Sequence, residues 1–384
     1  MYRLNEEQQR VVSEATAVAA AHIGPEARRV DREGVFPEAS IAAIAECGLL
    51  GLNVPHAFGG RGQGFRTMAA VLDVVGRHCS STAMVYLMHM CGIACYAAAP
   101  TKTEPQLRAA ASGKHLSTLA FSETGSRSHF WVPISRAVSV NGGVRISASK
   151  SFVTSAGRAD GYVVSTLAPN ATQPLESSLY LVLRDDQGVA VSGTWKGVGM
   201  RGNASAPMTL EDVALKEDRA LSAPGKGLEM MLGVALPVFQ IGSAAIAVGI
   251  AEAAVQATVG HLTHARFEDT NATLAQVPTL RARVAEMRIQ TDCARAHLAA
   301  VLDSLETPGP ETQLLVLEVK AAATEAAVSV TDTAMRACGG AAFGGAHGIE
   351  RLFRDARAPI IMAPTTDQAY DFIGRALCGL ELFS

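Results

Sequence analysis

The pattern of apolar and polar positions divides the chain into three parts. Up to about residue 117, alanine-rich segments such as "SEATAVAAAHI" and "RTMAAVLDVVGRH" repeat apolar residues every three or four positions, which is the period of an amphipathic helix. Short β-branched runs follow, separated by turn sequences such as "VNGG" and "RDDQG", and these predict antiparallel strands. Helical periodicity returns after "APGKG" and is broken at "TPGPE". We therefore predict a helical domain over residues 1–117, a β domain over 118–222 and a helical bundle over 223–384.

Composition and charge narrow the class of protein. Hydrophobic residues make up 48% of the 384 residues and the net charge is −3, so there is no electrostatic case for nucleic-acid binding. The start, "MYRLNEEQQRVVSEA", lacks the pattern of a signal peptide. The most apolar stretch, around Met230 to Val259, is interrupted by Pro237 and Glu252, which favours a buried helix over a membrane span. We expect a cytoplasmic protein that binds neither nucleic acid nor membrane.

The cysteines predict neither disulfides nor a metal site. There are seven and no CxxC spacing occurs, so a disulfide or zinc framework is not expected. Cys91 and Cys95 share a helical face, but their neighbours are apolar. Small buried hydrophobes are therefore the favoured interpretation of this pair.

Several segments carry a resemblance to a known family. "LAFSETGS" followed by "ISASKSFVTSAGRADGYVVS" resembles the flavin-cradling segment of the acyl-CoA dehydrogenase family. "GLNVPHAFGGRGQG", "GVGMRGNASAPMTLEDVAL" and "CGGAAFGGAHGIERLFRDARAPII" are similar to further family segments, in the same order. The resemblance implies a mainly α fold with a central β domain: an N-terminal helical domain, an antiparallel β-barrel or sandwich and a C-terminal four-helix bundle. It also implies FAD and a homodimer or homotetramer.

The resemblance assigns roles in the β domain to residues that would meet the flavin ring. Thr154 corresponds to the threonine on the flavin N5 side, and Phe152 takes the place of the aromatic residue that packs against the ring. Ser122 and Ser126 would line the flavin, and Gly125 would let the backbone approach closely.

The remaining cofactor residues implied by the resemblance lie in the C-terminal third. They would contact the phosphates and the adenosine part of FAD, the glycines reaching a neighbouring subunit's cofactor. They are Arg266, Thr270, Arg336, Gly339, Gly340 and Thr365. A fixed guanidinium such as that of Arg266 suits paired phosphate oxygens.

The family's catalytic base is missing. In family dehydrogenases a glutamate removes the α-proton of an acyl thioester, and its position here is Ala363. A second position that some members use falls at Phe239 and Gln240. A positioned base is worth about 10²–10⁴ in rate, so the loss is large. Asp367 is our candidate for a displaced base, and Glu123 is a weaker one because its family counterpart is structural.

These observations leave three functions open. We favour FAD-dependent oxidation or desaturation of an acyl thioester, bound to CoA or to a carrier protein, with an electron-accepting flavoprotein or a flavin reductase as partner. The second is a flavin-dependent monooxygenase or oxidase acting on an amine or aromatic small molecule. The third is a non-catalytic flavin-binding partner subunit.

Three further polar residues have two interpretations each. His89 lies in an apolar helix, and a buried, hydrogen-bonded histidine is favoured over a pocket residue. His129 follows the flavin-lining strand, where a side chain facing the cavity is the less favoured alternative. Asp355, flanked by Arg354 and Arg357, predicts a structural ion-pair network and not catalysis.

Overall fold

A computed structural model describes residues 2–382. The N-terminal helices are α1 (Glu6–Val18), α2 (Ala27–Glu33), α3 (Glu38–Glu46), α4 (Phe65–His78), α5 (Ser80–Ala98) and α6 (Pro100–Ala111). The strands are β1 (Ser117–Ala120), β2 (Val138–Val140), β3 (Gly143–Val153), β4 (Gly161–Leu167), β5 (Ser177–Leu183), β6 (Val189–Val191) and β7 (Ala206–Lys216). The C-terminal helices are α7 (Gly227–Met230), α8 (Leu236–His264), α9 (Pro278–Glu306), α10 (Thr312–Phe343), α11 (Ile349–Asp355), α12 (Ala358–Ile361) and α13 (Thr366–Leu377).

The central strands form two sheets. One has the order β1–β4–β5 and the other β2–β3–β7–β6, and a separate apolar cluster that includes Ile146 and Val213 fills this domain. All pairings are antiparallel except that of β1 with β4, which is parallel. The parallel pair departs from our antiparallel prediction. It arises because the chain leaves β1, builds β2 and β3 in the other sheet, and only then returns as β4.

The C-terminal part is a bundle of long helices. Helices α8 and α9 have 29 residues each and α10 has 32, and α13 packs against α10, which agrees with the predicted four-helix bundle. Two helical stretches, Ser80–Ala98 and Gly227–His264, are long and apolar enough to cross a membrane, but 78% of the apolar 18-residue window in each is buried inside the structure. An interior helix of this kind is hydrophobic on all sides, so burial explains their composition, as we predicted for the second stretch.

Buried charges connect the N-terminal helices to the bundle. Arg295 of α9 lies 2.9 Å from the Glu252 carboxylate of α8 and 3.3 Å from the Asp73 carboxylate of α4. Tyr2 donates a hydrogen bond of 2.9 Å to Asp73. Burial alone would raise the pKa of Glu252, but Arg288 and Arg295 outweigh it and lower the pKa to about 2. The network therefore fixes the positions of α4, α8 and α9 relative to one another.

Candidate functional site

Thr154, which directly follows β3, is held by hydrogen bonds on two sides. It is buried, its hydroxyl shares a hydrogen bond of 2.9 Å with the Ser205 hydroxyl, and its carbonyl accepts a bond of 2.9 Å from the Thr118 hydroxyl of β1. A threonine hydroxyl donates once and accepts twice, so the bond to Ser205 leaves capacity for a ligand. The predicted flavin contact at Thr154 is thus held rigidly by the sheets.

Phe152 is unusual in exposure and in backbone conformation. Its side chain is 71% exposed and its φ is +55°. A bulky residue with positive φ is an outlier that persists only where the surrounding structure enforces it, and such outliers cluster at functional sites. An exposed ring held in this way fits a residue that a planar ligand covers.

The loop after β1 is anchored by a buried ion pair. Lys150 of β3 lies 2.6 Å from the Glu123 carboxylate and also donates to the Ser165 carbonyl. The other Glu123 oxygen accepts from the backbone N–H groups of Ile134 and Ser135, at 2.9 Å and 2.7 Å. Burial opposes ionisation of Glu123, but Lys150 and Ser135 outweigh it and lower its pKa. Glu123 is therefore fully used in structure, as its family counterpart suggested.

The small residues of this loop form its turn. Gly125 has a φ of +98°, a conformation that glycine adopts without steric cost. The Ser126 hydroxyl donates to the Glu123 carbonyl at 3.0 Å, and the Ser122 carbonyl accepts from the Ser151 N–H at 2.9 Å. The structure thus brings Ser122, Ser126, Phe152 and Thr154 together around β3.

The two predicted phosphate-binding arginines lie on the surface. Arg266 follows α8 and donates to the Asn271 carbonyl at 2.8 Å, and Thr270 lies in the same exposed turn. Arg336 of α10 is paired with Asp332 at 2.8 Å. Within residues 2–382, no hydrogen bond or ion pair joins these side chains to the residues around β3. Their cofactor roles remain predictions.

Gly339, Gly340 and Thr365 occupy helix ends. Gly339 has φ 54° and ψ −132°, which interrupts the last turns of α10, and a Cβ atom added at either glycine would meet no described atom within 4 Å. Thr365 is the N-cap of α13 and its hydroxyl accepts from the Gln368 N–H at 3.2 Å. The glycines therefore present open backbone, whereas the threonine already has a structural task.

Both vacant base positions lie beside an unexpected lysine. Lys320 of α10 donates to the carbonyls of Met362 and Pro364, at 2.8 Å and 2.7 Å, on either side of Ala363. Its Nζ is also 5.9 Å from the centre of the Phe239 ring. Burial lowers the pKa of Lys320 to about 7. Sequence reasoning missed this residue because it interrupts an alanine-rich helical pattern without any motif around it.

The other base candidates are placed differently. Gln240 of α8 is buried, donates to the Leu317 carbonyl at 3.5 Å, and its side-chain oxygen has no partner among residues 2–382. Asp367 is exposed in the first turn of α13, where an acidic residue also interacts favourably with the helix dipole. Its role as a displaced base remains a prediction.

His89 is a buried structural histidine, which confirms the favoured interpretation. Its Nε2–H donates to the Leu50 carbonyl at 2.8 Å, and its Nδ1 accepts from the Ser117 N–H at 3.1 Å. Burial lowers the pKa of His89 to about 4. The ring is thus neutral and both nitrogens are used. Cys91 and Cys95 on the same helix are buried free thiols, as predicted.

The charges near Asp355 are structural, but they pair differently from the simple flanking pattern. Arg354 lies 2.6 Å from Asp31, far along the chain, and Asp355 accepts from the Met200 N–H at 2.6 Å. His129 is exposed and stacks on Trp131, with ring centres 5.1 Å apart. No contact assigns His129 a chemical role.

Comparison with known proteins agrees with this geometry. Sequence profiles of the acyl-CoA dehydrogenase N-terminal, middle and C-terminal domains match residues 5–111, 118–213 and 225–378. The chain is 28% identical to cyclohex-1-ene-1-carbonyl-CoA dehydrogenase of Geobacter metallireducens, over 98% of this chain and 99% of that protein. Butyryl-CoA dehydrogenase from Megasphaera elsdenii has a similar structure (TM-score 0.91, 20% identity, 98% and 99% of the two chains). FMN-bound TdsC from Paenibacillus sp. A11-2 is also similar (TM-score 0.87, 22% identity, 98% and 100%).

The fold and the matched domains define a three-part flavin-dependent oxidoreductase. The chain belongs to the acyl-CoA dehydrogenase family.

Proposed function

We propose that the protein uses FAD to oxidise or desaturate an acyl thioester carried on CoA or on a carrier protein. The observation that carries this proposal is the arrangement around the end of β3. There, Thr154 is buried and held by two hydrogen bonds, and Phe152 beside it is exposed. The similarity over nearly the full length to a protein named cyclohex-1-ene-1-carbonyl-CoA dehydrogenase supports the substrate class.

The described residues fit a flavin ring on this domain. Phe152 offers an uncovered aromatic face, Thr154 a hydroxyl with free capacity, and Gly125 a turn without a side chain. FAD, when bound, supplies the acceptor for two electrons. The chain's own part is to hold that ring against β3 through the Glu123–Lys150 anchor and to orient the substrate beside it.

The proton of the proposed reaction needs an acceptor other than the usual one. Ala363 and Phe239 carry no proton-accepting group, so we propose Asp367 as the displaced base. Replacing Asp367 with Asn tests this, since a base contributes about 10²–10⁴ in rate. A fall in turnover of that size, with flavin content unchanged, supports Asp367, whereas unchanged turnover excludes it. Asp371, an acidic residue one turn later on α13, provides the matched control as Asp371→Asn.

A second candidate function is a flavin-dependent monooxygenase or oxidase acting on an amine or aromatic compound. The lack of a carboxylate at Ala363 and Phe239 favours it, because such chemistry needs no base there. The chain also shares its fold with TdsC, a structure of which holds FMN and indole. A non-catalytic flavin-binding subunit is the third candidate.

One experiment separates these candidates. The purified protein is reconstituted with FAD and treated under nitrogen with a panel of acyl thioesters while the flavin absorbance is followed. Bleaching supports the dehydrogenase. No bleaching, but oxygen-dependent product formation with a reductase and NAD(P)H, supports the monooxygenase. Uptake of flavin with neither bleaching nor product formation supports the non-catalytic flavin-binding role.

We further propose a cytoplasmic homodimer or homotetramer that passes electrons to a partner flavoprotein or receives them from a flavin reductase. Self-association is supported by large apolar side chains on the surface of the C-terminal helices. These are Phe343, Ile361 and Leu377, with exposures of 84%, 74% and 69%. The free cysteines suit a reducing compartment.

A further inference from the structure

The chain buries two lysines that differ in one respect. Lys150 is paired with the Glu123 carboxylate. Lys320 is 1% exposed, and among residues 2–382 no carboxylate forms an ion pair with it. Removing a cation from water without a counter-ion is costly. An unpaired buried lysine of this kind is retained where it has a task, and functional sites are a common place for it.

The contacts of Lys320 converge on one short segment, residues 362–364, which we call the wall segment. Its two carbonyl bonds grip the wall segment on both sides of Ala363, and the Phe239 ring of α8 lies on another side of the ammonium group. The same atom therefore contacts the surroundings of both positions where family members carry a base. No other polar side chain of residues 2–382 donates to the Met362 or Pro364 carbonyls.

We propose that Lys320 is a positioning residue that fixes the wall segment against α8 and α10 and so preserves the shape of the reaction site after the loss of its carboxylate. This inference rests on the proposed function, because it takes the wall segment to border the reaction cavity. With 1% exposure, Lys320 acts through the wall segment and does not touch the substrate itself. A misplacement of about 1 Å near reacting groups costs about 10²-fold in rate.

The protonation state of Lys320 determines the strength of its hydrogen bonds to the wall segment. Hydrogen bonds from an ammonium are about twice as strong as neutral ones, so the wall segment is held more firmly by the charged form. The neighbouring elements offer few competing charges. Phe239 and Gln240 on α8 and the wall segment itself do not titrate, and the acidic residues nearest in sequence are on α10 and α13. These are Glu318, Glu325 and Asp367, and none of them is a cause of the shifted pKa of Lys320.

The test compares Lys320→Met with Thr324→Val. Methionine keeps the length of the stem and removes the donors. Thr324 lies one turn later on α10, is buried, and bonds only to carbonyls of its own helix, so its variant controls for loss of a buried polar group. We expect Lys320→Met to bind FAD as the wild type does, because the residues around β3 are unchanged. Its kcat/KM for the best thioester should fall by about 10²-fold, whereas Thr324→Val should stay within about twofold of the wild type.

Amide hydrogen exchange over residues 361–366 gives a readout that does not depend on turnover. In the wild type, exchange corrected for its intrinsic pH dependence should rise as the pH passes through about 7. In Lys320→Met it should be fast and show no such step. If Lys320→Met does not fold, the milder Lys320→Gln replaces it, because its neutral amide donates more weakly than an ammonium. Unchanged exchange over residues 361–366 and unchanged kcat/KM in Lys320→Gln overturn the inference.

The outcomes also separate this inference from the proposed function. If no thioester bleaches the flavin but the Lys320→Met wall segment loses protection, the positioning role stands and the proposed function falls. If thioesters bleach the wild type but exchange, its pH step and kcat/KM are unchanged in Lys320→Met, the positioning role falls and the proposed function stands.

Discussion

At the scale of single residues, our prediction of how a flavin is held rests on the hydroxyls of Thr154 and Ser205. Their shared bond of 2.9 Å joins the end of β3 to the loop before β7, and Thr118 closes the arrangement from β1. Three chain segments thus fix one threonine, and a donor placed in this way needs no rearrangement when charge develops on a bound ring.

Replacing Thr154 with Val tests this donor. Valine preserves the shape of the strand residue and removes the hydroxyl, so we expect the protein to fold and flavin reduction by substrate to slow by about 10²-fold. Anaerobic stopped-flow measurement of flavin absorbance gives the rate. Thr166→Val is the control, because Thr166 is a buried threonine of β4 whose hydroxyl bonds only to the neighbouring Leu167 carbonyl. Equal rates in the two variants would contradict a role for Thr154.

The burial of His89 predicts a pH dependence of the free energy of unfolding. Its pKa in the folded state is about 4, compared with 6.5 ordinarily. The unfolded chain therefore binds the proton more readily than the folded chain. The contribution of the neutral His89 ring to the free energy of unfolding is fully present above pH 6.5 and is lost as the pH falls towards 4. Between about pH 7.5 and pH 5 the wild type should lose about 2 kcal/mol more than His89→Gln.

Urea unfolding at the two pH values measures this difference. His264→Gln is the control, because that histidine is exposed. A His89→Gln variant with the same pH slope as the wild type would exclude burial of a neutral imidazole as the cause.

At the scale of elements, most boundaries follow from local pattern, and the exceptions have a common cause. The alanine-rich periodicity locates the long helices, and the turn sequences separate the strands. The parallel pairing of β1 with β4 could not be predicted from the turns, because it depends on a partner 44 positions away (Ser117 with Gly161). The hydrogen bonds from Lys320 to the wall segment could not be predicted for the same reason. Each partner looks ordinary in its own helix or turn, and only the packing of α10 against residues 362–364 joins them.

The buried network between α4, α8 and α9 makes a prediction for helix packing. Arg295→Met removes a buried cation from the Asp73 and Glu252 carboxylates, and breaking such a pair costs about 3–5 kcal/mol of unfolding free energy. Arg288→Met is the matched control. Its guanidinium also contacts Glu252, but it is 35% exposed, so solvent screening limits the loss to about 1 kcal/mol or less.

Chemical denaturation of both variants measures the two losses. The Glu252 contribution has its own pH signature: with a folded pKa of about 2 and an ordinary value of 4.5, it is present above pH 4.5 and is lost as the pH falls through 2. Equal destabilisation by the two arginine variants would show that burial of Arg295 does not matter.

At the scale of the whole molecule, the C-terminal helices present apolar side chains next to open glycine backbone at the end of α10. Covering a large exposed apolar side chain on association removes its surface from water, which is favourable. This is the physical basis for our proposal that copies associate, with the exposed end of α10 as the expected contact.

Phe343→Asp tests that expectation. A charge in place of the 84% exposed ring should weaken self-association at least about tenfold, because the carboxylate would lose its water on association. Light scattering after size-exclusion chromatography gives the mass at several concentrations. Val138→Asp is the control, since Val138 is 59% exposed on the short strand β2 of the β domain. A wild-type chain that is monomeric at every concentration would contradict the expectation outright.

The parallel pairing of β1 with β4 has a consequence for how the protein matures. Two strands of the other sheet lie between these partners in the sequence, so their pairing closes a long stretch of chain. Long-range closures of this kind are slow steps in folding. Because Thr118 of β1 donates to the Thr154 carbonyl, the flavin niche that we predict beside Thr154 is complete only after β1 has joined this domain. We therefore expect the newly made chain to form its helices first and to bind the coloured flavin last.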